Sequence, residues 1–363
     1  MEPGGADASV PPAPAIAQNT PSPDYQDRST GLLVLGIIEI AGGALAALAV
    51  PIVLLSGVLM RQGAGAAPPL RSLTVTCLTY ALLAAVLIAL GIGATQARRW
   101  AWALNFILSW IWLITGVLLT ILLVVMLPSG VLAALHNAAT QNPGAAPVPA
   151  GLMAVIITFM VVIASVFLII LPLVFLLFYR SRNVEQTCKH RDPVKRWTDR
   201  CPLPVLALAL LAATSALYYL VVGLSTPLFP FFGRYLTGLP GAAAFLVFAV
   251  FDAYVALAFY RLKVAGWWVA VIFMVFRLAS SALTIGRGNL LVAYAKMGWS
   301  HEQLEALSLN PMFRGNAILW WSLTFMVIYL GFLLWVKRYF RPPVDTGYTG
   351  LSDSASNPLQ LGS

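Results

Sequence analysis

Long apolar runs, broken by short polar turns, recur along almost the whole chain. A helix needs roughly 20 apolar residues to cross a hydrocarbon core about 30 Å thick. Eight runs meet that length: 32–60, 74–94, 100–127, 152–178, 203–224, 241–260, 266–285 and 317–336. Most carry no formal charge, and their apolar residues do not confine themselves to one face at three- and four-residue spacing, as on a surface helix. The pattern predicts an all-α polytopic integral membrane protein with eight transmembrane helices. The first run reads as a true span and not as a signal peptide, because about 30 residues precede it and that stretch is acidic before Arg28.

Composition agrees with the pattern. The 363 residues are 60% hydrophobic and 10% charged, with a mean hydropathy of +0.85, whereas a soluble domain is about 25% charged. So few charges cannot cover the surface of a compact soluble fold. The three cysteines exclude a disulfide-rich scaffold. The net charge of +9 follows topology: with both ends inside, fifteen of the 22 Lys and Arg residues fall in the inner segments. The expectation is a multi-pass protein of the inner cell membrane with both termini cytoplasmic, touching lipid headgroups and not nucleic acid.

Five regions follow. Residues 1–30 and 342–363 are too poor in large apolar groups to repay chain ordering and read as disordered cytoplasmic tails. Between them lie a first four-helix half (31–180), a basic cytoplasmic linker (181–202) and a second four-helix half (203–341). The halves resemble each other. In each, the second span leads through a short basic turn into a tryptophan-rich entry, Arg98-Arg99-Trp100-Ala101-Trp102 in one and Lys263 to Trp267-Trp268 in the other. Each also places its longest outer loop between the third and fourth spans. These features predict a 4+4 tandem repeat with an axis along the membrane normal. In the outer loop 286–316, Leu290, Leu291 and Tyr294 predict one short helix. Ser300-His301-Glu302-Gln303 is a capping-box pattern that predicts a second.

Charges inside a span cost about 2.5–3.5 kcal/mol on insertion scales and therefore mark candidate sites. Glu39, Asp252 and Arg277 qualify, and counting residues from the inner helix ends puts all three in one layer near the midplane. Glu39 shares a face with Gly36, Gly43 and Ala47, and Arg277 continues into a polar stripe of Ser280, Ser281 and Thr284. The five-residue turn between spans six and seven makes them antiparallel neighbours, so Asp252 and Arg277 can pair. Glu39 then has no evident partner. Glu39, Asp252, Arg277 and Ser281 are the candidate substrate-binding residues. Pro172 and Gly331 interrupt spans four and eight at roughly corresponding positions, as binding-site helices of transporters do.

In the linker, Cys188, His190 and Cys201 could supply three ligands of a zinc site, with Asp192 or Asp199 as the fourth. Their spacing matches no usual zinc pattern, and the neighbouring basic residues oppose a cation. The preferred reading of 181–200 is an interfacial segment resting on anionic headgroups. No nucleophile–base constellation, phosphate loop or metalloprotease pattern is present, and no cofactor is called for. The leading expectation is a non-enzymatic, transporter-like protein for a small solute or an ion or proton, with its site near the midplane charges. The alternative is a membrane scaffold or sensor acting through its basic loop and tails, whose protein partners the sequence does not name.

Overall fold

A computed structural model of the chain describes residues 26–62, 70–141, 150–225, 227–287, 290–296 and 317–340, with 301, 304, 305 and 308 singly. Both expected tails, apart from residues 26–30, and the capping-box residues Ser300, Glu302 and Gln303 lie outside the described residues. Eight helices are long and apolar enough to cross a membrane: Ser29–Leu59, Leu73–Thr95, Arg99–Val124, Ala154–Tyr179, Leu203–Ser225, Gly238–Tyr260, Val264–Ile285 and Leu319–Phe340. The full elements are α1 (Ser29–Gln62), α2 (Leu70–Thr95), α3 (Arg99–Gln141), α4 (Ala150–Ser165), α5 (Leu171–Tyr179), α6 (Arg182–Arg191), α7 (Leu203–Ser225), α8 (Gly238–Tyr260), α9 (Val264–Arg287), α10 (Leu290–Lys296) and α11 (Ala317–Val336). The outer loop expected from residue 128 begins instead as a continuation of α3 to Gln141. In the other outer loop, α10 matches the first of the two short helices expected there.

The first two helices of each group pack along their length, and small residues allow the approach. A Cβ on Gly36 would stand 2.7 Å from the Gly91 carbonyl oxygen, and one on Gly91 would stand 2.6 Å from that of Gly36. Backbone contact of this kind drives association between helices where lipid offers no hydrophobic gradient. On α7 the matching buried strip is Ala209, Ala212, Ala216 and Gly223.

The second and third helices of each group are joined by turns of the same construction. After α2, the Ala97 N–H donates to the Ala94 carbonyl and the Arg98 N–H to that of Gly93, both at 2.9 Å. After α8, the Leu262 N–H donates to Phe259 and the Lys263 N–H to Ala258, again at 2.9 Å. Such paired bonds satisfy orphan carbonyls at a helix end through a left-handed residue. Here that residue is not glycine: Ala97 has φ +50° and Leu262 φ +54°, a conformation costing about 1–2 kcal/mol. Close helix contact flanks both turns. A Cβ on Gly93 would meet the Cβ of Ala101 at 2.6 Å, and one on Gly266 would run into the Cβ of Ala258. Further along, Trp102 Nε1 donates to the Tyr179 carbonyl at 3.0 Å and Trp267 Nε1 to the Leu333 carbonyl at 2.8 Å.

The fourth span is interrupted by a π-turn at Val166–Ile170. Pro172 has no N–H to offer the carbonyl one turn back, that of Leu168, and the widened turn accommodates the loss. That carbonyl faces α3 at Gly116, where a Cβ would collide with it. Gly331 has no counterpart distortion, and open space surrounds it.

One element has no precedent in the sequence reading. Between α7 and α8 an antiparallel hairpin pairs β1 (Leu228–Phe231) with β2 (Arg234–Thr237). Its two turn residues have positive φ, +40° at Phe232 and +86° at Gly233, which matches strand twist in a two-residue loop. The turn N–H groups are met by α9: Phe232 N–H donates to Ser280 Oγ at 3.2 Å and Gly233 N–H to Thr284 Oγ1 at 2.9 Å. Ser280 in turn donates to the Pro230 carbonyl at 3.0 Å. The polar stripe beyond Arg277 is thus occupied in anchoring a hairpin.

The linker forms a clasp on the side of the α2–α3 and α8–α9 turns. The Arg28 N–H donates to Thr187 Oγ1 on α6 at 3.1 Å, and Arg191 pairs with Asp27 at 3.2 Å. Buried Asp192 accepts from Arg196 at 3.1 Å and from the Arg99 N–H at 3.4 Å. Tyr260 Oη, at the end of α8, donates to the Trp197 carbonyl at 3.2 Å. The clasp therefore touches the N-terminal segment, the α2–α3 turn and the second helical group.

Candidate intramembrane sites

Glu39, Asp252 and Arg277 do not share one site. Glu39 lies within the first group and the other two within the second. Between the groups, the contact formed by Ile107, Cys201, Leu206 and Ala207 is apolar.

Glu39 is buried on α1, and its carboxyl turns from the small-residue strip towards α3 and α5. There the Asn105 amide donates through Nδ2 to Glu39 Oε2 and to the Tyr179 hydroxyl, both at 3.1 Å. The Tyr179 hydroxyl lies beside the same carboxyl. Asn105 and Tyr179 are 1% and 0% exposed, and Asn105 Oδ1 has no hydrogen-bond partner among the described residues. Tyr179 is held by Phe175 and Phe178 and by the clasp residues Val184 and Cys188. Both partners of the carboxyl are neutral, so its charge can change without breaking an ion pair. Neither partner is charged, although a lone Asn in an apolar run is a usable signal.

The second centre is a wide ion pair. Arg277 Nη1 lies 3.7 Å from Asp252 Oδ2, beyond the 2.7–3.2 Å typical of an N–H···O bond. Among the described residues Asp252 Oδ2 is buried without a hydrogen-bond partner, and Ser215 lies beside the same carboxyl. Among the described residues the guanidinium has no hydrogen-bond acceptor. Its flat faces meet aromatic rings instead, with Cζ 5.1 Å from the Tyr219 centroid and 6.0 Å from that of Phe273. The Arg277 side chain is 25% exposed. Ser281, the fourth candidate, is buried one turn further out on α9.

An aromatic cluster walls this centre on its hairpin side. Phe229 of β1 packs on Phe248 at 4.6 Å and Phe245 at 5.1 Å, and Phe248 packs on Phe273 at 4.6 Å. The hairpin is fixed to α9 by Ser280 and Thr284, so the same helix that carries Arg277 also places the wall beside it.

The linker residues considered for zinc go to different places. Cys188 is buried against Leu32 and Tyr179, and Cys201 against Ile107 and Leu206. Burial pushes the Cys188 thiol up to about 12, and the thiolate is the form that binds metal. Among the described residues no group of three or more His, Cys, Asp or Glu side chains is placed to hold a metal ion.

The eight spans define the class as a multi-pass helical membrane protein. The chain matches no known protein family, and neither a curated protein nor a solved structure matches it.

Proposed function

We propose that the chain is a transport-type protein of the inner cell membrane, with both termini cytoplasmic. Its small-solute centre is the Asp252–Arg277 pair, and Glu39 forms a separate proton-carrying centre. The observation that carries this reading is the unspent hydrogen-bonding capacity at the pair. A guanidinium within a span normally finds partners, yet this one stands 3.7 Å from its counter-ion, which has its own unpartnered oxygen. Arginine–carboxylate pairs frequently close to bidentate contact, and this one stays open. Glu39, with neutral partners only, suits the exchange of a proton.

We further propose that the two groups arose as a four-plus-four duplication. One constant sequence offset relates Ala97 to Leu262, Arg98 to Lys263, Gly93 to Ala258, Ala101 to Gly266 and Trp102 to Trp267. The close contact beside the turn keeps its glycine–alanine pair, although the glycine has changed sides. The charged centres are not duplicated, so each group has its own chemistry.

The test is reconstitution of the full chain in liposomes containing an entrapped pH dye. Wild-type protein is expected to dissipate an imposed pH gradient and Glu39→Gln to lose that flux. Absence of flux, or equal rates in both, sinks the proton role. A second reading, a scaffold resting on anionic headgroups, is favoured by the clasp surface, where Val194 and Trp197 are 59% and 43% exposed among basic residues. It predicts that charge reversal at Lys195 and Arg200 abolishes binding to phosphatidylserine vesicles and leaves flux absent throughout.

A further inference from the structure

From the geometry of the second centre we infer its ligand class: a zwitterion with adjacent ammonium and carboxylate groups on an apolar or aromatic body, as in an aromatic α-amino acid. The inference rests on the reading of Asp252–Arg277 as a solute centre and names what it takes. Charge balance excludes the simpler choices. The pair is neutral as it stands, so a bare anion on Arg277 would leave one uncompensated negative charge in the membrane interior. A bare cation on Asp252 would leave a positive one. Uncompensated buried charge is the costly outcome, and a zwitterion adds none.

The open valences fit the two ends of such a molecule. Asp252 Oδ2, buried and without a hydrogen-bond partner, is an acceptor waiting for a donor. The Arg277 fork, with no acceptor among the described residues, offers donors matched to a carboxylate. At 3.7 Å the two groups are too far apart to satisfy each other. They are close enough for an ammonium and a carboxylate borne on one carbon to bridge them. The ligand's body meets rings: Tyr219 and Phe273 flank the guanidinium, and Phe248 continues the surface. The exposed quarter of the Arg277 side chain leaves an approach.

The experiment is equilibrium binding of labelled L-phenylalanine to the full chain in nanodiscs. 3-Phenylpropanoate, lacking the ammonium, and phenethylamine, lacking the carboxylate, serve as competitors. Phenylalanine is expected to bind and each analogue to compete at least tenfold more weakly, because a buried polar group of the site is left unpaired in each case. Arg277→Met and Asp252→Asn are each expected to weaken binding at least tenfold. If either variant fails to fold, the wild-type ligand series decides alone, and Arg277→Lys, which keeps the charge and loses the fork, is expected to weaken phenylalanine binding at least tenfold in protein that remains folded. 3-Phenylpropanoate competing as well as phenylalanine would make this a plain anion site and overturn the inference. So would no phenylalanine binding, or binding indifferent to folded variants. Proton flux without phenylalanine binding would remove the ligand class and leave the transport reading, whereas binding without flux would do the reverse.

Discussion

Asn105 is the smallest unit on which the first centre depends. One amide nitrogen serves both Glu39 and Tyr179, so its removal strips a donor from a buried carboxyl and from a buried hydroxyl together. A buried polar group left unsatisfied costs about 1–3 kcal/mol. Asn105→Ala is therefore expected to destabilise the protein by an amount in that range, read from thermal unfolding in detergent. Glu39→Gln, which keeps an acceptor of the same shape, is expected to cost less. In a cycle of Asn105→Ala with Glu39→Ala, which removes the acceptor, the two effects should fall short of their sum, because residues in one network couple; strict additivity would show that the hydrogen bond does not form. At this scale the sequence exposed the acid and hid its company. Glu39 stood out because ionisable residues are rare in spans, whereas Asn and Tyr carry no charge and occur in ordinary membrane helices. Nothing local in the sequence brings Tyr179, from the fourth span, beside Glu39 of the first.

Glycines show how far an element's role can be read from spacing alone. The strip Gly36–Gly43 on α1 was legible, because small residues at helical spacing on an apolar helix imply a close neighbour. The neighbour is α2, with Gly91 directly opposite. Gly91→Val is expected to force the helices apart and cost about 1–3 kcal/mol, as overpacking does. Gly331, which reads in sequence as an interruption of span eight, meets nothing within 4 Å among the described residues, so Gly331→Ala is expected to be neutral or to stabilise α11 by about 0.5–1 kcal/mol through helix propensity. Thermal unfolding of the two variants side by side checks the contrast, and equal losses would contradict the packing described. The hairpin at 228–237 escaped the sequence reading for a physical reason. It is short, it contains Pro230, and its Phe-Gly turn is stabilised by Ser280 and Thr284 from a helix some fifty residues away. The stripe that holds it was visible, but its purpose was not.

For the whole molecule, eight spans were readable because the bilayer imposes length and apolarity on each one separately. The clasp was not readable, since it is assembled from contacts distant in sequence. Its keystone is Asp192, with a side chain 3% exposed. Burial would raise the carboxyl. The Arg196 side chain, the Arg99 N–H and the charges of Arg196 and Arg98 outweigh that effect and hold it below the ordinary carboxylate range. A carboxyl with a depressed folded value contributes stability that is fully present above its unfolded value, about 3.9. That contribution disappears as pH falls through the lower folded value. Asp192→Asn removes it at every pH. The gap in thermal stability between wild type and Asp192→Asn is thus expected to stay constant from pH 8 to about pH 5 and to close below about pH 4, near that unfolded value. A gap that widened on acidification would mean that Asp192 acts through its protonated form. Asp27, whose Ser29 and Arg191 contacts hold its carboxyl low, titrates in the same direction. It is exposed, and its ion pair belongs to the surface class worth about 0–1 kcal/mol. Asp27→Asn is therefore the control for Asp192: it should leave the acid limb of the wild-type curve nearly unchanged, so that a change seen only with Asp192→Asn ties the limb to the buried carboxyl that joins the clasp to the start of α3.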